Sequence, residues 1–334
     1  MDDLHYGTRN KRGDWAPARP LELSPFWAWP PKAPRIVAWI KGYLWPWNAM
    51  FLVIALAWWR FVVPDADTMR TLSWGWALAL LAANWAGIFL FYGAFELRWY
   101  VRRAQERRFK FNHRFPSEQP SDVFWFKSQN VDNFLRTFFV SVPIGTALEV
   151  LLLHAFAAGA APALSWSSQA GWIVFAALLA PLVQEVHFFF IHRAIHWGPL
   201  YRHVHSVHHN SVNPSPWSSM SMHPVESLFY FAVMFWALAL PSHPFIVVYL
   251  FTLAGFGAVV GHIGFERLEF GADTAQESHA YAHYLHHKYF EVNYCDNGIL
   301  PLDHWFGSWH DGSPEGERLM QQRFREKKAR VNAN

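Results

Sequence analysis

The sequence predicts an all-α, multi-pass integral membrane bundle: four spanning helices and a helical hairpin, bearing a cytoplasmic, histidine-rich metal-binding cap. Three observations carry that prediction. Apolar runs of spanning length recur along the chain. Lys and Arg concentrate in alternate links between those runs. Clusters of histidine begin where the fourth run ends. Composition agrees, because 52% hydrophobic and 18% aromatic residues, with 20 Trp among 334, exceed what a soluble domain carries.

Residues 1–42 form a basic arm rich in Pro and Trp, with Lys11, Arg12, Arg19, Lys32, Arg35 and Lys41 and no signal-peptide pattern. It reads either as an irregular segment at the membrane interface or as a disordered tail. The first two apolar runs, 43–63 and 74–95, each meet the requirement of about 20 residues for a spanning helix. The segment 96–136 is again basic. A third run, 137–159, an uncharged link, 160–170, and a fourth run, 171–191, follow. Cationic segments stay in the cytoplasm. Both termini, the 96–136 segment and His192, the first residue after the fourth run, are therefore expected on that side. The apolar region 227–261 is broken at Pro241-Ser-His-Pro244, so it reads as a hairpin that spans twice or dips in and returns. A polar tail from 263 ends in a charged helix-like stretch after Pro314.

Three histidine boxes define the chemistry: His192-Arg-Ala-Ile-His196, His205-Ser-Val-His208-His209 and His283-Tyr-Leu-His286-His287. On a helix, residues three and four apart share a face, so each box aims its imidazoles at one place. Imidazole suits iron, zinc, copper and nickel. Eight of them exceed what one tetrahedral zinc takes, and the economical reading is a two-metal site. The H-E-x-x-H signature of zinc proteases is absent. A single Cys, Cys295, leaves no cysteine-based cluster and no internal disulfide. A membrane zinc metallohydrolase and a metal transporter remain as other classes, to be separated by metal identity. The first is disfavoured by the lack of a ligand carboxylate. The second would place ionisable pairs at mid-membrane rather than after helix ends. Glu149, Gln184 and Glu185 do fall within apolar runs, and Glu185 lies two turns before His192 on one helical face. It either supports the metal site from beneath or simply snorkels.

Around the boxes run LYRHVHSVHH, then PSPWSSMSMHPVE, ending in HPVE at His223–Glu226, then HYLHHKYFEVNY and LPLDHWFGS. These resemble the fatty acid hydroxylase/sterol desaturase superfamily over about 180–310, and are most similar to its C-5 sterol desaturase (lathosterol oxidase) branch. The resemblance implies a non-haem di-iron enzyme, two Fe ions with O2 as co-substrate, hydroxylating or desaturating a sterol-like or fatty-acyl C–H bond. It implies as metal ligands His192, His196, His205, His208, His209, His283, His286 and His287, and adds His262 in GHIGFE. Imidazole ligands need acceptors behind them to fix the tautomer; Glu185, Glu226, Glu266 and Asp303 are candidates, with His223 as a further ligand or support. Cys295, Leu302 and His304 depart from the family's usual residues, which bears on substrate more than on metal chemistry. His187, His203 and His279 fit no box. The chain then divides into the arm (1–42), a first transmembrane hairpin with its basic segment (43–136) and a hydroxylase-like catalytic part (137–334). With no flavin or haem motif in the sequence, electrons come from a separate cytochrome b5-like or ferredoxin-like donor. The expected partners are that donor, the membrane and a lipid, with no nucleic acid.

Overall fold

A computed structural model describes residues 1–271, 273–295 and 298–333. The chain is mostly helical. Among the described residues, five helices are long and apolar enough to cross a membrane: α1 (Ala33–Phe61), α2 (Trp74–Val101), α3 (Gln129–Ala157), α4 (Trp166–Ile195) and, after the shorter apolar α5 (Pro224–Ala239), α6 (Phe245–His262). The hairpin therefore has unequal arms, α5 and α6. Helix α7 (Tyr281–Tyr289) carries the third box, and α8 (Pro314–Ala333) is the charged terminal stretch.

The helix boundaries follow local chemistry. Ser128 and Ser165 accept from Val131 N and Ser167 N at the starts of α3 and α4, replacing backbone partners those turns lack. Helix α1 begins ten residues before the expected run. Pro34 sits in its first turn, where the missing N–H costs nothing, and the helix breaks at Trp45 just ahead of Pro46.

Helix α6 is the centre of the bundle. Of its apolar window 83% is buried, against 17% for α1 and α4, and it packs on α1, α3 and α4. The outer helices instead turn side chains such as Phe61, Leu90, Phe139 and Leu178 outward, as lipid contact requires. Glu149, expensive at this depth, is buried in α3 and accepts from Asn84 Nδ2 of α2 at 2.8 Å. Asn84 also donates to Thr146 and accepts from Trp58 Nε1, so one amide ties three helices.

The arm is neither a disordered tail nor wholly irregular. Strands β1 (Gly7–Arg9) and β2 (Trp15–Pro17) pair antiparallel, and Trp15 is buried among Phe109, Phe111, Tyr281, Tyr284 and Leu285. The arm thus packs on the helix that bears the third box. Farther along, Leu21 N donates to Asp311 O, and Trp27 Nε1 to Ile299 O with its ring edge-on to Trp305. A second strand pair, β3 (Arg267–Glu269) with β4 (Ala275–Glu277), follows α6. Neither pair was expected from an all-α pattern; each strand is only three residues long, too short for an alternating signature.

Candidate metal centre

Four segments converge to form the centre. Helix α4 continues past the apolar run through Ile195, so His192 lies in its last turn rather than beyond it, with His196 at the C-cap. Two helical turns, Tyr201–His205 and Ser206–His209, present the second box. The end of α6 supplies His262, and α7 supplies His283, His286 and His287. All nine are buried except His196, which is half-buried.

They form two groups. His192, His196, His205, His209 and His286 make one; His208, His262, His283 and His287 make the other; within each, one ring nitrogen per residue lies within 4.8 Å of the rest. Only the first box aims at one place. In the second, His205 and His209 join the five-histidine group while His208 turns to the other; in the third, His283 and His287 pair and His286 crosses over. The reason is helical geometry. Residues i and i+4 lie about 40° apart around the axis and i+3 about 60° to the opposite side, so H-x-x-H-H spreads over two directions.

The hydrogen bonding tests whether metal ions fit. His192 Nδ1 lies 2.6 Å from Tyr294 O, His286 Nδ1 2.6 Å from Val292 O, and His205 Nδ1 2.7 Å from Glu226 Oε1. A carbonyl only accepts, so His192 and His286 carry their protons on Nδ1, as does His205 facing a carboxylate. Their Nε2 atoms are then bare in the neutral ring. Yet His192 Nε2 is 3.1 Å from His205 Nε2, two lone pairs facing each other in a buried site. In the second group the Nε2 atoms of His262, His283 and His287 form a triangle with sides of 3.1–3.2 Å. His262 Nδ1 bonds Ala258 O, so its Nε2 is bare in the neutral ring, and a cation between the three nitrogens would take the lone pairs gathered there. Four equivalent ligands on a tetrahedral metal at about 2.1 Å would stand about 3.4 Å apart. The observed shorter edges, with other pairs farther apart, suit a higher coordination number. The residues present fit two metal ions.

Electrostatics point the same way. Burial first, then neighbouring imidazoles, holds His205, His209, His283, His286 and His287 well below the usual histidine range. Burial brings His208 down to about 4. Neutral imidazole is the form that binds metal.

The supporting residues take distinct places. Glu226 bonds His205 directly. Asp303 accepts from Tyr294 N, Cys295 N and Ser308 Oγ, and so fixes the loop whose Tyr294 carbonyl orients His192. Glu185 accepts from Ile299 N and Leu300 N, bracing the same loop rather than sitting beneath an imidazole. His223 lies outside both groups; it caps α5, with Nδ1 accepting from Val225 N, one turn from Glu226. Glu266 makes no bond to an imidazole and lines a cavity. His187 bonds Phe229 O, and His203 is exposed. The carbonyls of Tyr294 and Val292 escaped sequence reasoning, because a main-chain acceptor leaves no residue-type signal.

A cavity of about 1210 Å³ adjoins the centre. His192, His205, His208, His262 and His283 line it, together with side chains of α1, α4 and α6 and residues of the arm; apolar groups such as Trp39, Phe51, Phe188 and Leu253 stand beside polar ones such as Arg35 and Glu185. A site this large with a mixed wall has room for a lipid that carries a polar group.

The centre is that of a protein with apolar helices of membrane-spanning length and two all-histidine groups able to hold metal ions, opening on a large cavity. Residues 177–308 match the family model described as Fatty acid hydroxylase. The chain is also similar to curated Delta(7)-sterol 5(6)-desaturases. It is 29% identical to that of Candida albicans over 34% of this chain and 28% of the relative. For the Gibberella zeae protein the identity is 25% over 46% and 49%, and for that of Saccharomyces cerevisiae 32% over 31% and 27%. The chain thus spans between about a quarter and a half of these relatives' lengths. No solved structure matches it. The resemblance to the fatty acid hydroxylase/sterol desaturase superfamily therefore holds over the segment bearing all nine histidines.

Proposed function

We propose that this protein is a membrane-bound, non-haem di-iron oxygenase that hydroxylates or desaturates a sterol-like or fatty-acyl C–H bond. The observation that carries the reading is the pair of imidazole groups, whose Nε2 atoms face one another at 3.0–3.2 Å beside a large cavity. The similarity to Delta(7)-sterol 5(6)-desaturases supports a lipid substrate.

His192, His196, His205, His209 and His286 would hold one iron, and His208, His262, His283 and His287 the other. Two irons bound there would supply the redox chemistry that activates dioxygen and breaks an unactivated C–H bond, with two electrons drawn from the substrate and two from the external donor, which side chains alone cannot do. The chain's own residues do the rest. Tyr294 O, Val292 O and Glu226 lock three tautomers. Apolar walls from α4 and α6 exclude water and hold the lipid with its reacting carbon near the imidazoles. The boxes and both termini lie on the cytoplasmic side in this reading, where a cytochrome b5-like or ferredoxin-like donor delivers electrons.

Metal analysis of protein purified anaerobically in mild detergent, alongside His286→Ala, tests it. About two irons per chain, reduced in the variant, with dioxygen consumed on adding reductant, is the expected result. One zinc, or metal content indifferent to His286, would sink the oxygenase reading and favour a hydrolase or a transporter.

A further inference from the structure

We propose that Glu266 and His279 form the binding site for a hydroxyl group of the lipid, at the metal end of the cavity. The inference rests on the lipid-oxygenase reading above and adds the feature by which the substrate is held.

Both residues line the same cavity as His192, His208, His262 and His283. Glu266 follows His262 by four residues and His279 precedes His283 by four. Four residues span at most about 14 Å, so each is tethered close to a metal-binding imidazole. The two are also brought to each other, because Ser278 N donates to Glu266 O at 2.9 Å and places His279 next in the chain.

Glu266 has bonding capacity to spare. Among the other carboxylates of the cap, Asp303 is taken by two backbone amides and Ser308 and Glu269 by Arg108, while Glu226 is held through Oε1 by His205 and keeps only Oε2 without a partner. Glu266 has no such donor; its Oε2 is buried without a hydrogen-bond partner among the described residues. Such an oxygen is costly to leave unpaired. Burial and the nearby Glu277 push this carboxyl up to about 7, so it can accept or donate near neutrality. His279 adopts a left-handed backbone, φ 61°, which for a non-glycine residue is strained and is retained where surrounding structure enforces it. A hydroxyl donates once and accepts twice, and a carboxyl with an imidazole answers both needs.

The placement sets a chemical consequence. A hydroxyl seated between Glu266 and His279 holds the substrate's polar end in the same cavity as the metal-binding imidazoles, and leaves the rest of the lipid to the other walls. Oxidation is then expected toward the substrate's polar end rather than at a distant chain terminus.

Binding of lipid pairs to the full chain in detergent, read by native mass spectrometry, tests the assignment. Each pair is an alcohol and its O-methyl ether: a Delta(7)-sterol, a long-chain fatty alcohol and a sphingoid base protected at nitrogen. For at least one pair the wild type should bind the alcohol about tenfold more tightly than the ether. Glu266→Leu should abolish that preference by weakening the alcohol alone, with Glu266→Gln restoring part of it, since the amide still accepts. Metal content and melting temperature serve as checks on fold. Equal binding of alcohol and ether by metal-loaded wild type, or an equal loss of both in Glu266→Leu, would overturn the anchor and leave the oxygenase reading standing. If none of the pairs binds metal-loaded protein, both fall. Should Glu266→Leu not fold, the preference is read from Glu266→Gln and His279→Ala, and its survival in both overturns the proposal.

Discussion

The two imidazole groups are unlike. In the five-histidine group three rings are held from behind by short bonds, 2.6–2.7 Å, two of them to carbonyls of the loop that follows α7. In the four-histidine group the corresponding bonds are longer: 2.9 Å from His262 Nδ1 to Ala258 O within its own helix, and 3.4 Å from His208 Nδ1 to Ser221 O. Exposure to the cavity runs the other way, since three of the four rings line it against two of the five. One site is braced and the other is open. On the proposed function the difference points to a division of labour: the first group would hold its metal more firmly, and the second would lie more open to small molecules and substrate.

The largest effect should come from removing a ligand. His192→Ala and His287→Ala are each expected to lose more activity than the 10–100-fold typical of groups behind the ligands, with metal content falling by about one ion in each. Parallel metal analysis of the two variants checks it. If either variant lost both ions, the groups would not be separable sites.

Next in size is Glu226→Gln, which removes the carboxylate behind His205. An expected loss of about 10–100-fold in metal affinity should fall on the five-histidine site alone, measured by metal retention against a graded chelator. Asp303→Asn should act in the same direction but more weakly, because it reaches His192 only through the Tyr294 loop. An effect of Glu226→Gln shared equally by both sites would break the distinction between braced and open.

The smallest expected effect is on the stability of the metal-free protein. The rings of both groups titrate below the ordinary histidine value, His208 at about 4. The unfolded chain therefore binds protons near pH 6.5 that the folded chain refuses. Stability is full above about pH 6.5 and is lost as pH falls from there towards 4. Melting temperature after metal removal should drop by several degrees between pH 7.5 and 5.5. An apoprotein equally stable at both would mean the rings are already open to water.

Much of this was legible in the residues. The apolar runs, the basic links and the H-x-x-H-H boxes fix where helices lie and which side chains meet, because they are periodic patterns that depend on side-chain type. His262, a member of the four-histidine group, was reached only through resemblance, since a lone histidine at a helix end has no spacing to mark it. The splitting of each H-x-x-H-H box between two sites was missed, although the three-versus-four offset was there to be read. The kink at Trp45, the hairpin that seats Trp15, and the carbonyls of Tyr294 and Val292 depend on tertiary partners far away in sequence. No local window contains them.

The bond from Leu21 to Asp311 bears on how the molecule comes into being. The first residues made must wait for nearly the last before they find their place, and Trp15 waits for α7. Synthesis proceeds from the N-terminus at about 5–20 residues per second, so for tens of seconds the bundle stands without its third box and without one wall of its cavity. Neither site has its full set of imidazoles until α7 arrives. A metal ion arriving earlier would meet a half-built site, so loading is expected only after the ribosome has finished.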